Sequence, residues 1–312
     1  MDSTHIISGW SFASNQAKDI ETYEISETNP CWFHCLRDHP DLKSWLDEQK
    51  VPAALIESLL TDDTRPRFEV YDENAFLIIL RGINLNAGAE PDDMLSIRLL
   101  WYKGSLISTR KIPSKSVSSI IDLLERGKGP KSISELIVSI IQGINSYITH
   151  FLEPIEDQLN LLENSEAYSV SELSHVKSRL LRVRRYLKPQ KYVLEDLLDV
   201  QLAQLEQQRF VLKNALDTAI RIHESIEFYL EYIDVYFSSQ QQIQAERMNK
   251  NSYLLSIVAG VFLPAGFFTG LLGVNVAGIP GTENPFAFSL LCLALAVIII
   301  LEVILLRKLK FT

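Results

Sequence analysis

The stretch YLLSIVAGVFLPAGFFTGLLGV, Tyr253–Val274, decides how this chain is organised. It carries no charged side chain, and about 20 apolar residues are enough to cross the roughly 30 Å hydrocarbon core of a bilayer. A second apolar stretch, FAFSLLCLALAVIIILEVILL, covers Phe286–Leu306 and contains one acid, Glu302. The sequence therefore predicts a hairpin of two transmembrane helices, 253–274 and 286–306, joined by a short loop at 275–285.

Basic residues lie next to the two ends of this hairpin. They are Arg247, Lys250 and, in the tail 307–312, Arg307, Lys308 and Lys310. The connecting loop has Glu283 as its charged residue. Because lysine and arginine near membrane spans favour the cytoplasmic side, both termini are predicted to be cytoplasmic and the loop external.

Composition limits the other functions that the chain could have. Its 312 residues carry a formal net charge of −9, which argues against nucleic acid as a partner, because phosphates need a basic surface. Three cysteines, one of them inside an apolar span, fit a reducing compartment rather than a disulfide framework. The sequence has no phosphate-binding glycine loop and no HExxH pattern, so we expect an ion gradient or the membrane potential, not ATP, as any energy source.

Residues 1–130 have the pattern of an α/β domain that would lie in the cytosol. Segments rich in β-branched and aromatic residues predict strands, and 41–60 and 114–126 predict helices. The strand-like segments are Cys31–Leu36, Arg67–Tyr71, Ala75–Leu85, Met94–Tyr102 and Ser105–Arg110. The RGKGP stretch that ends at Pro130 is typical of a domain boundary.

A helical stalk, 131–252, follows this domain. Its pattern is interrupted near Ser165 and weakened at Pro189. After about Gln204 neither proline nor glycine occurs before the apolar span. This predicts one helix of roughly 70 residues that continues to Gly273 and is about 100 Å long.

The long helix has a regular apolar seam with alternating steps of four and three residues, as in a coiled coil. Its members are Leu212, Leu216, Ala219, His223, Ile226, Leu230, Ile233 and Phe237. Towards the membrane the same seam becomes polar, at Gln240, Gln244, Arg247 and Asn251. Two interpretations remain open, helices that part around water and a solvated face beside the membrane.

Candidate metal ligands lie on and beside this seam. They are His223, Glu227, Glu231 and Asp234, together with Glu283 in the external loop. The competing interpretation is a core histidine and a solvated acidic face. If several copies surround a funnel, the acids would attract cations to it.

Two other clusters are predicted to be structural. In CWFHC, Cys31 and Cys35 would lie roughly 13 Å apart on one face of a strand, and His34 would point the other way. They predict buried side chains rather than a zinc site. Four arginines of the stalk are predicted to pair with acids of neighbouring helices rather than to bind phosphate. These arginines are Arg179, Arg182, Arg184 and Arg185.

Mostly small residues follow one line of the first span, and bulky ones follow the opposite line. The first line comprises Ser252, Leu255, Ala259, Leu263, Gly266 and Gly270. It fits either close packing of helices, since Gly266 and Gly270 form a GxxxG motif, or the wall of a narrow conduit. Beyond a helix end at Gly273, Asn275 could turn its oxygens towards the axis and bind a hydrated divalent cation.

The chain as a whole resembles the CorA metal ion transporters. It shares with them two C-terminal spans, a Gly-x-Asn signature after the first span, the long helix, the α/β domain and the basic tail. Most members of that family carry Gly-Met-Asn at the pore mouth, where this chain has Gly273, Val274 and Asn275. The GVN signature, the following GIPG and the FLPAGFFTG stretch are similar to the ZntB branch of zinc transport proteins.

The resemblance implies a funnel-shaped homopentamer in the bacterial inner membrane, surrounded by lipid, with the first span lining the pore. It implies Zn²⁺ or another divalent cation as the cargo, proton-coupled uptake, and no cofactor. The implied selectivity filter is Gly273, Val274 and Asn275. The implied pore-lining residues are Asn249, Ser252, Leu255, Ala259, Leu263, Gly266 and Gly270.

Two alternatives remain. The first is a channel for Mg²⁺, Co²⁺ or Ni²⁺ of the ordinary CorA type. The second is a membrane-anchored scaffold or sensor that has lost transport. Replacing Asn275 with alanine would separate a transporter, which should lose flux, from a scaffold, which should not change.

Overall fold

The computed structural model of the chain describes residues 5–13, 17–62, 65–162, 170–274, 281 and 284–308. It contains two compact units, 1–234 and 235–312. The domain boundaries predicted at residues 130 and 252 stay predictions.

The first unit is built on a seven-stranded sheet. In chain order its strands are β1 Ile6–Ser11, β2 Lys18–Asp19, β3 Cys31–Leu36, β4 Arg67–Asp72, β5 Ala75–Gly82, β6 Leu95–Tyr102 and β7 Ser105–Arg110. Their order in space is β2-β1-β3-β7-β6-β5-β4. Strands β3 and β7 are parallel, and the other neighbours are antiparallel.

Helices account for most of the remaining described residues. They are α1 Pro40–Glu48, α2 Ala53–Leu60, α3 Lys115–Glu125, α4 Ile133–Leu162, α5 Val170–Asp199, a 3-10 helix Ala203–Gln208, α6 Arg209–Leu272 and α7 Ala287–Lys308. Helices α1 and α2 cover one face of the sheet, where they share a core with β3, β5 and β6. Helices α4 and α5 contact β5, and α5 also contacts β4. The first unit is therefore an α/β domain with buried strands, which explains their nearly continuous apolar sequences.

The strands β3 and β7 have the predicted bounds, but the strand predicted over Ala75–Leu85 ends at Gly82. The segment 41–60 is helical, as predicted, and consists of two helices. Lys50 adopts a positive φ of 58°, and Pro52 then precedes α2, so the chain turns between them. Strand β1 was not expected, because serine and glycine dilute its apolar pattern. Its pairing with β3 makes it a strand.

The prolines of the stalk lie inside helices. Pro154 is within α4, and Pro189, where a weakening was predicted, is within the continuous helix α5. The long helix α6 begins at Arg209, after the 3-10 helix, and ends at Leu272, so it is slightly shorter than predicted.

The CWFHC segment is buried, as predicted. Cys31 and Cys35 belong to the core beneath α1 and α2. His34 Nδ1 lies 2.7 Å from Ser108 Oγ, which also accepts a hydrogen bond from Trp32 Nε1. The cysteines and the histidine therefore do not share a ligand site.

The second unit contains the end of α6 and all of α7. These are the two helices of the described chain that are long and apolar enough to cross a membrane. Pro264 lies inside α6, and because proline has no N–H, the carbonyl of Gly260 lacks its usual helical donor. Such positions are tolerated in membrane helices where neighbouring groups can compensate.

Candidate ion pathway

All seven residues of the predicted pore stripe lie on α6, and each is exposed in the single chain. Apart from neighbouring residues and the backbone of α6 itself, no described atom lies within 4 Å of the position that a Cβ would take on Gly266 or Gly270. This face of α6 is thus free for other copies, lipid or water. Its role as a pore lining stays a prediction.

The C-terminal end of α6 is fixed by glycine. The Gly273 N–H is shared between the carbonyls of Thr269 and Gly270, at 3.0 and 3.2 Å, as is common where a helix ends. A Cβ on Gly273 would lie 2.9 Å from the Thr269 carbonyl oxygen, closer than carbon and oxygen normally approach. The first residue of the predicted filter therefore needs to be glycine for a local steric reason.

Of the other two filter residues, the structure describes Val274 but not Asn275. Val274 follows in a bend and its side chain is about half exposed. Asn275 and the loop acid Glu283 lie outside the described residues. Their roles stay predictions.

Hydroxyl groups on this helix bond to its own backbone. Ser256 Oγ donates to the carbonyl of Ser252 at 2.9 Å, and Thr269 Oγ1 donates to the carbonyl of Ala265 at 2.9 Å. This pairing satisfies polar groups that would be costly in hydrocarbon. It also means that these two hydroxyls already have acceptors and need none from a neighbouring helix.

The apolar seam of α6 packs largely inside its own chain. Leu212, Ile226, Leu230 and Ile233 are buried in the first unit. The Asn145 amide on α4 donates to the carbonyl of Ala215 at 2.8 Å, which ties the two helices together. The heptad-like spacing thus describes packing against helices of the same chain, and the polar continuation of the seam is mostly exposed.

His223 is a half-buried residue of this seam. Its Nε2 lies 3.9 Å from Glu227 Oε1. Burial lowers the pKa of His223 below its usual value, and cations on α5 add to this, whereas Glu227 opposes it. The imidazole is therefore neutral at pH 7, as in the interpretation of a core histidine.

Two of the candidate acids are engaged by cations of α5. Glu227 Oε2 accepts from Arg184 Nη1 at 3.1 Å, and Asp234 forms an ion pair with Lys177. Glu231 is exposed. Within the described part of a single chain, no three His, Cys, Asp or Glu side chains are grouped to hold a metal ion.

Three of the four arginines, Arg179, Arg182 and Arg184, pair with acids, as predicted, but not all with acids on helices, whereas Arg185 lies against the Tyr186 ring. Arg184 contacts Glu227 on α6, as expected. Arg179 and Arg182 both contact Asp92, which precedes β6 in a loop and whose carboxylate is fully buried. This partner was missed because nothing in the local sequence links a loop aspartate to a helix some ninety residues later.

A cavity of about 660 Å³ in the first unit was also not expected from the sequence. Its cationic lining residues are Arg37, Arg81, Lys111, Arg182 and Arg185. They come from three strand ends and one helix, so no local motif could have indicated them.

Comparison with known proteins places this architecture in a family. A family model described as CorA-like Mg2+ transporter protein matches residues 27–308. The zinc transport protein ZntB of Vibrio parahaemolyticus serotype O3:K6 is 41% identical over 308 residues, which are 98% of this chain and 97% of that protein. The divalent cation transporter CmaX of Pseudomonas aeruginosa is 35% identical over 282 residues, 88% of this chain and 85% of its own.

A solved structure supports the same assignment. The structure of full-length CmaX matches with a TM-score of 0.83 at 31% identity and covers 99% of both chains. The α/β domain, the long helix and the two apolar C-terminal helices are thus shared along the whole chain. The protein belongs to the CorA family of membrane transporters, in the branch that includes ZntB, and is a transporter rather than an enzyme.

Proposed function

We propose that this protein carries divalent cations, above all Zn²⁺, across the inner membrane of a bacterium. The observation that carries the proposal is the 41% identity, over 98% of the chain, to a zinc transport protein. The similarity to a divalent cation transporter at 35% identity supports the same class of cargo. We infer uptake coupled to protons as the mode of transport, with both termini in the cytoplasm.

The proposed path is a pore between five copies of α6. One helical hairpin cannot enclose a conduit, so the pathway requires an oligomer. Its wall would be the stripe from Asn249 to Gly270, and its external mouth would be Gly273, Val274 and Asn275. The open space beside Gly266 and Gly270 in the single chain supports this arrangement. Neutral oxygens at the mouth would bind a hydrated cation weakly enough to release it.

At the cytosolic side, His223 and the acids Glu227, Glu231 and Asp234 would border the pathway in the assembled oligomer. Because Arg184 and Lys177 already neutralise two of these acids, we propose a diffuse attraction of cations rather than tight coordination. Glu283 would have the same role outside.

Uptake of ⁶⁵Zn²⁺ into proteoliposomes tests this function. The full-length protein is reconstituted, and uptake is measured with and without an imposed pH gradient and with excess Mg²⁺. We expect zinc flux that resists Mg²⁺ and rises when protons flow in the same direction. Zinc flux indifferent to the pH gradient would contradict coupling but keep the transport proposal.

The filter is tested by Asn275→Ala in the same vesicles. We expect at least a tenfold loss of flux, since one well-placed oxygen ligand contributes roughly a factor of ten or more. Asn214→Ala is the matched control, because Asn214 is an exposed asparagine on the cytosolic part of α6. Unchanged flux in Asn275→Ala would refute the filter, and a folded but inactive wild type would indicate a scaffold or sensor.

The second candidate is a Mg²⁺, Co²⁺ or Ni²⁺ channel. The description of the matching family model, a CorA-like Mg2+ transporter protein, favours it. Flux of Mg²⁺ without flux of Zn²⁺ in these vesicles would decide for this candidate and against zinc.

A further inference from the structure

The cavity of about 660 Å³ lies at one edge of the sheet in the first unit. Arg37 directly follows β3, Lys111 directly follows β7, and Arg81 is the penultimate residue of β5. These three strands run in the same direction, because β3 and β7 are parallel and β6 is antiparallel to both β7 and β5. The cavity is therefore formed where strand ends converge, a common position for ligands in α/β domains.

Positive charge predominates in the lining. Among its described residues, five are cationic and three are acidic, although the chain as a whole has a net charge of −9. The acids are Asp62, Asp92 and Asp93. A local reversal of the sign of the whole protein indicates a site that attracts anions.

Two carboxylates at this site, those of Asp92 and Asp38, each contact two cations. Asp92 accepts from both Arg179 and Arg182, and Asp38, beside the cavity, pairs with both Arg37 and Lys111. Hydrogen bonds from these partners keep the pKa of Asp38 below its usual value, the largest effect being that of Lys111. Arg37 is in turn shared by two carboxylates, because it also pairs with Asp62 at 2.7 Å. With Asp38 and Arg179 included, the described groups at the site comprise six cations and four acids, so positive charge remains in excess.

A further buried cation adds to this positive charge. Arg98 is fully buried on β6, where its Nη1 donates to the carbonyl of Leu59. Burial, followed by the proximity of Arg37 and Arg81, lowers the pKa of Arg98 to about 10. The guanidinium still carries its charge at pH 7 and adds to the positive charge of the described groups around the cavity.

One aromatic ring completes the lining. The Tyr186 ring lies 4.7 Å from the Arg81 guanidinium and 5.6 Å from that of Arg185, measured from each Cζ to the ring centroid. This arrangement holds two guanidinium groups beside the ring in the lining of the cavity. A volume of several hundred Å³ is in the range that accommodates a small organic ligand.

We propose that this cavity binds a ligand with two or more linked phosphate groups, either inorganic pyrophosphate or a nucleoside triphosphate. Planar guanidinium groups fit phosphate oxygens through paired hydrogen bonds, and a point charge such as Lys111 supports them. A single phosphate would leave part of the positive charge without a partner. The cytosolic domain of the transporter would thus carry an anion site that is separate from the cation pathway.

Isothermal titration calorimetry on the full-length protein in detergent tests this site. Pyrophosphate, ATP, inorganic phosphate and adenosine are titrated separately at a fixed low chloride concentration. We expect pyrophosphate or ATP to bind with a dissociation constant below the millimolar range, tighter than phosphate, and adenosine not to bind. Binding should weaken as salt is added, because exposed charges are screened.

Two variants locate the binding. Arg185→Gln and Lys111→Gln each remove an exposed cation of the lining. Each should raise the dissociation constant of the phosphate ligand about tenfold or more. Lys188→Gln is the matched control, since it removes one exposed charge from the same helix outside the lining. It should bind like the wild type.

The titrations distinguish a nucleotide from a phosphate chain alone, and they include results that would refute the site. ATP tighter than pyrophosphate would identify a nucleotide, and equal affinities would identify the phosphate chain alone. No binding of either ligand, or an equal loss in Arg185→Gln and Lys188→Gln, would overturn the proposal. Since the readout is binding, it is independent of whether the protein carries zinc.

Discussion

The two units of this molecule differ in where their apolar side chains lie, which are mostly buried in the first and mostly exposed in the second. In the first unit, Phe33 on β3 and Leu77 on β5 are fully buried. In the second unit, Phe262 and Phe288 are 69% and 76% exposed in the single chain. The first unit therefore gains its stability from its own core, whereas the apolar side chains of the second unit are left for lipid, or for the other copies proposed above, to cover.

Glycines show the same contrast. A Cβ on Gly129 in the first unit would lie 2.5 Å from Leu124 Cδ2, but one on Gly266 would meet no described atom within 4 Å outside its neighbours and the backbone of its own helix. The four tryptophans of the chain, Trp10, Trp32, Trp45 and Trp101, all belong to the first unit. Tryptophan fluorescence consequently reports the unfolding of that unit alone, and the following predictions use it to test the contrast.

The largest expected effect comes from removing a buried aromatic ring. Phe33→Ala should lower the free energy of unfolding of the first unit by about 3–5 kcal/mol, because it leaves a cavity in the core. Phe262→Ala is the matched change in the second unit and should leave this transition unchanged. The measurement is chemical denaturation of the full-length protein in detergent, followed by tryptophan fluorescence. Similar losses in both variants would show that the two units do not differ in this way.

Acid should destabilise the first unit through His34. Burial lowers the pKa of this imidazole to about 3, so the unfolded chain binds a proton near pH 6.5 and the folded one does not. Stability is then full above pH 6.5 and falls as the pH drops towards 3, by on the order of 3 kcal/mol at pH 4. His5 and His223 add to the loss, because burial also lowers the pKa of each.

Denaturation of the full-length protein between pH 7 and pH 4 measures this loss. His34→Gln should flatten the pH dependence of the midpoint, even if it lowers stability at pH 7. His175→Gln, which changes an exposed histidine of α5, should retain the slope of the wild type. A variant lacking His34 with an undiminished slope would assign the acid sensitivity to other groups.

The smallest expected effect on stability comes from replacing one glycine in each unit with alanine. Gly129→Ala should cost about 1–3 kcal/mol in the first unit, since its Cβ would collide with the side chain and backbone nitrogen of Leu124. Gly266→Ala should not lower the tryptophan-detected midpoint, and alanine favours the helix by up to about 1 kcal/mol. Size-exclusion chromatography with light scattering should accompany the melts. Dissociation of the oligomer by Gly266→Ala would show that this glycine packs against another copy.

The sequence predicted individual elements best where the local pattern was strong. Strands β3 and β7 have the expected bounds because their β-branched and aromatic residues are buried on both faces. It missed β1, where pairing with β3 overrides a weak local preference. It predicted the helical segment 41–60 but not its division into α1 and α2, where Lys50 and Pro52 turn the chain. At the candidate pathway, the helix end beside Gly273 was predicted within one residue, since glycine stops a helix for local steric reasons.

What the sequence determined by itself was the membrane hairpin, the long helix and the resemblance to CorA transporters. Hydropathy, helix length and a short signature are local properties, so they can be read along the chain. Only the tertiary structure showed that the seam of α6 packs within its own chain, and that Asp92 holds Arg179 and Arg182. It also brought the cations of the cavity together from separate strands and a helix. These contacts join residues far apart in the chain, and the sheet topology that unites them is not encoded in any short segment.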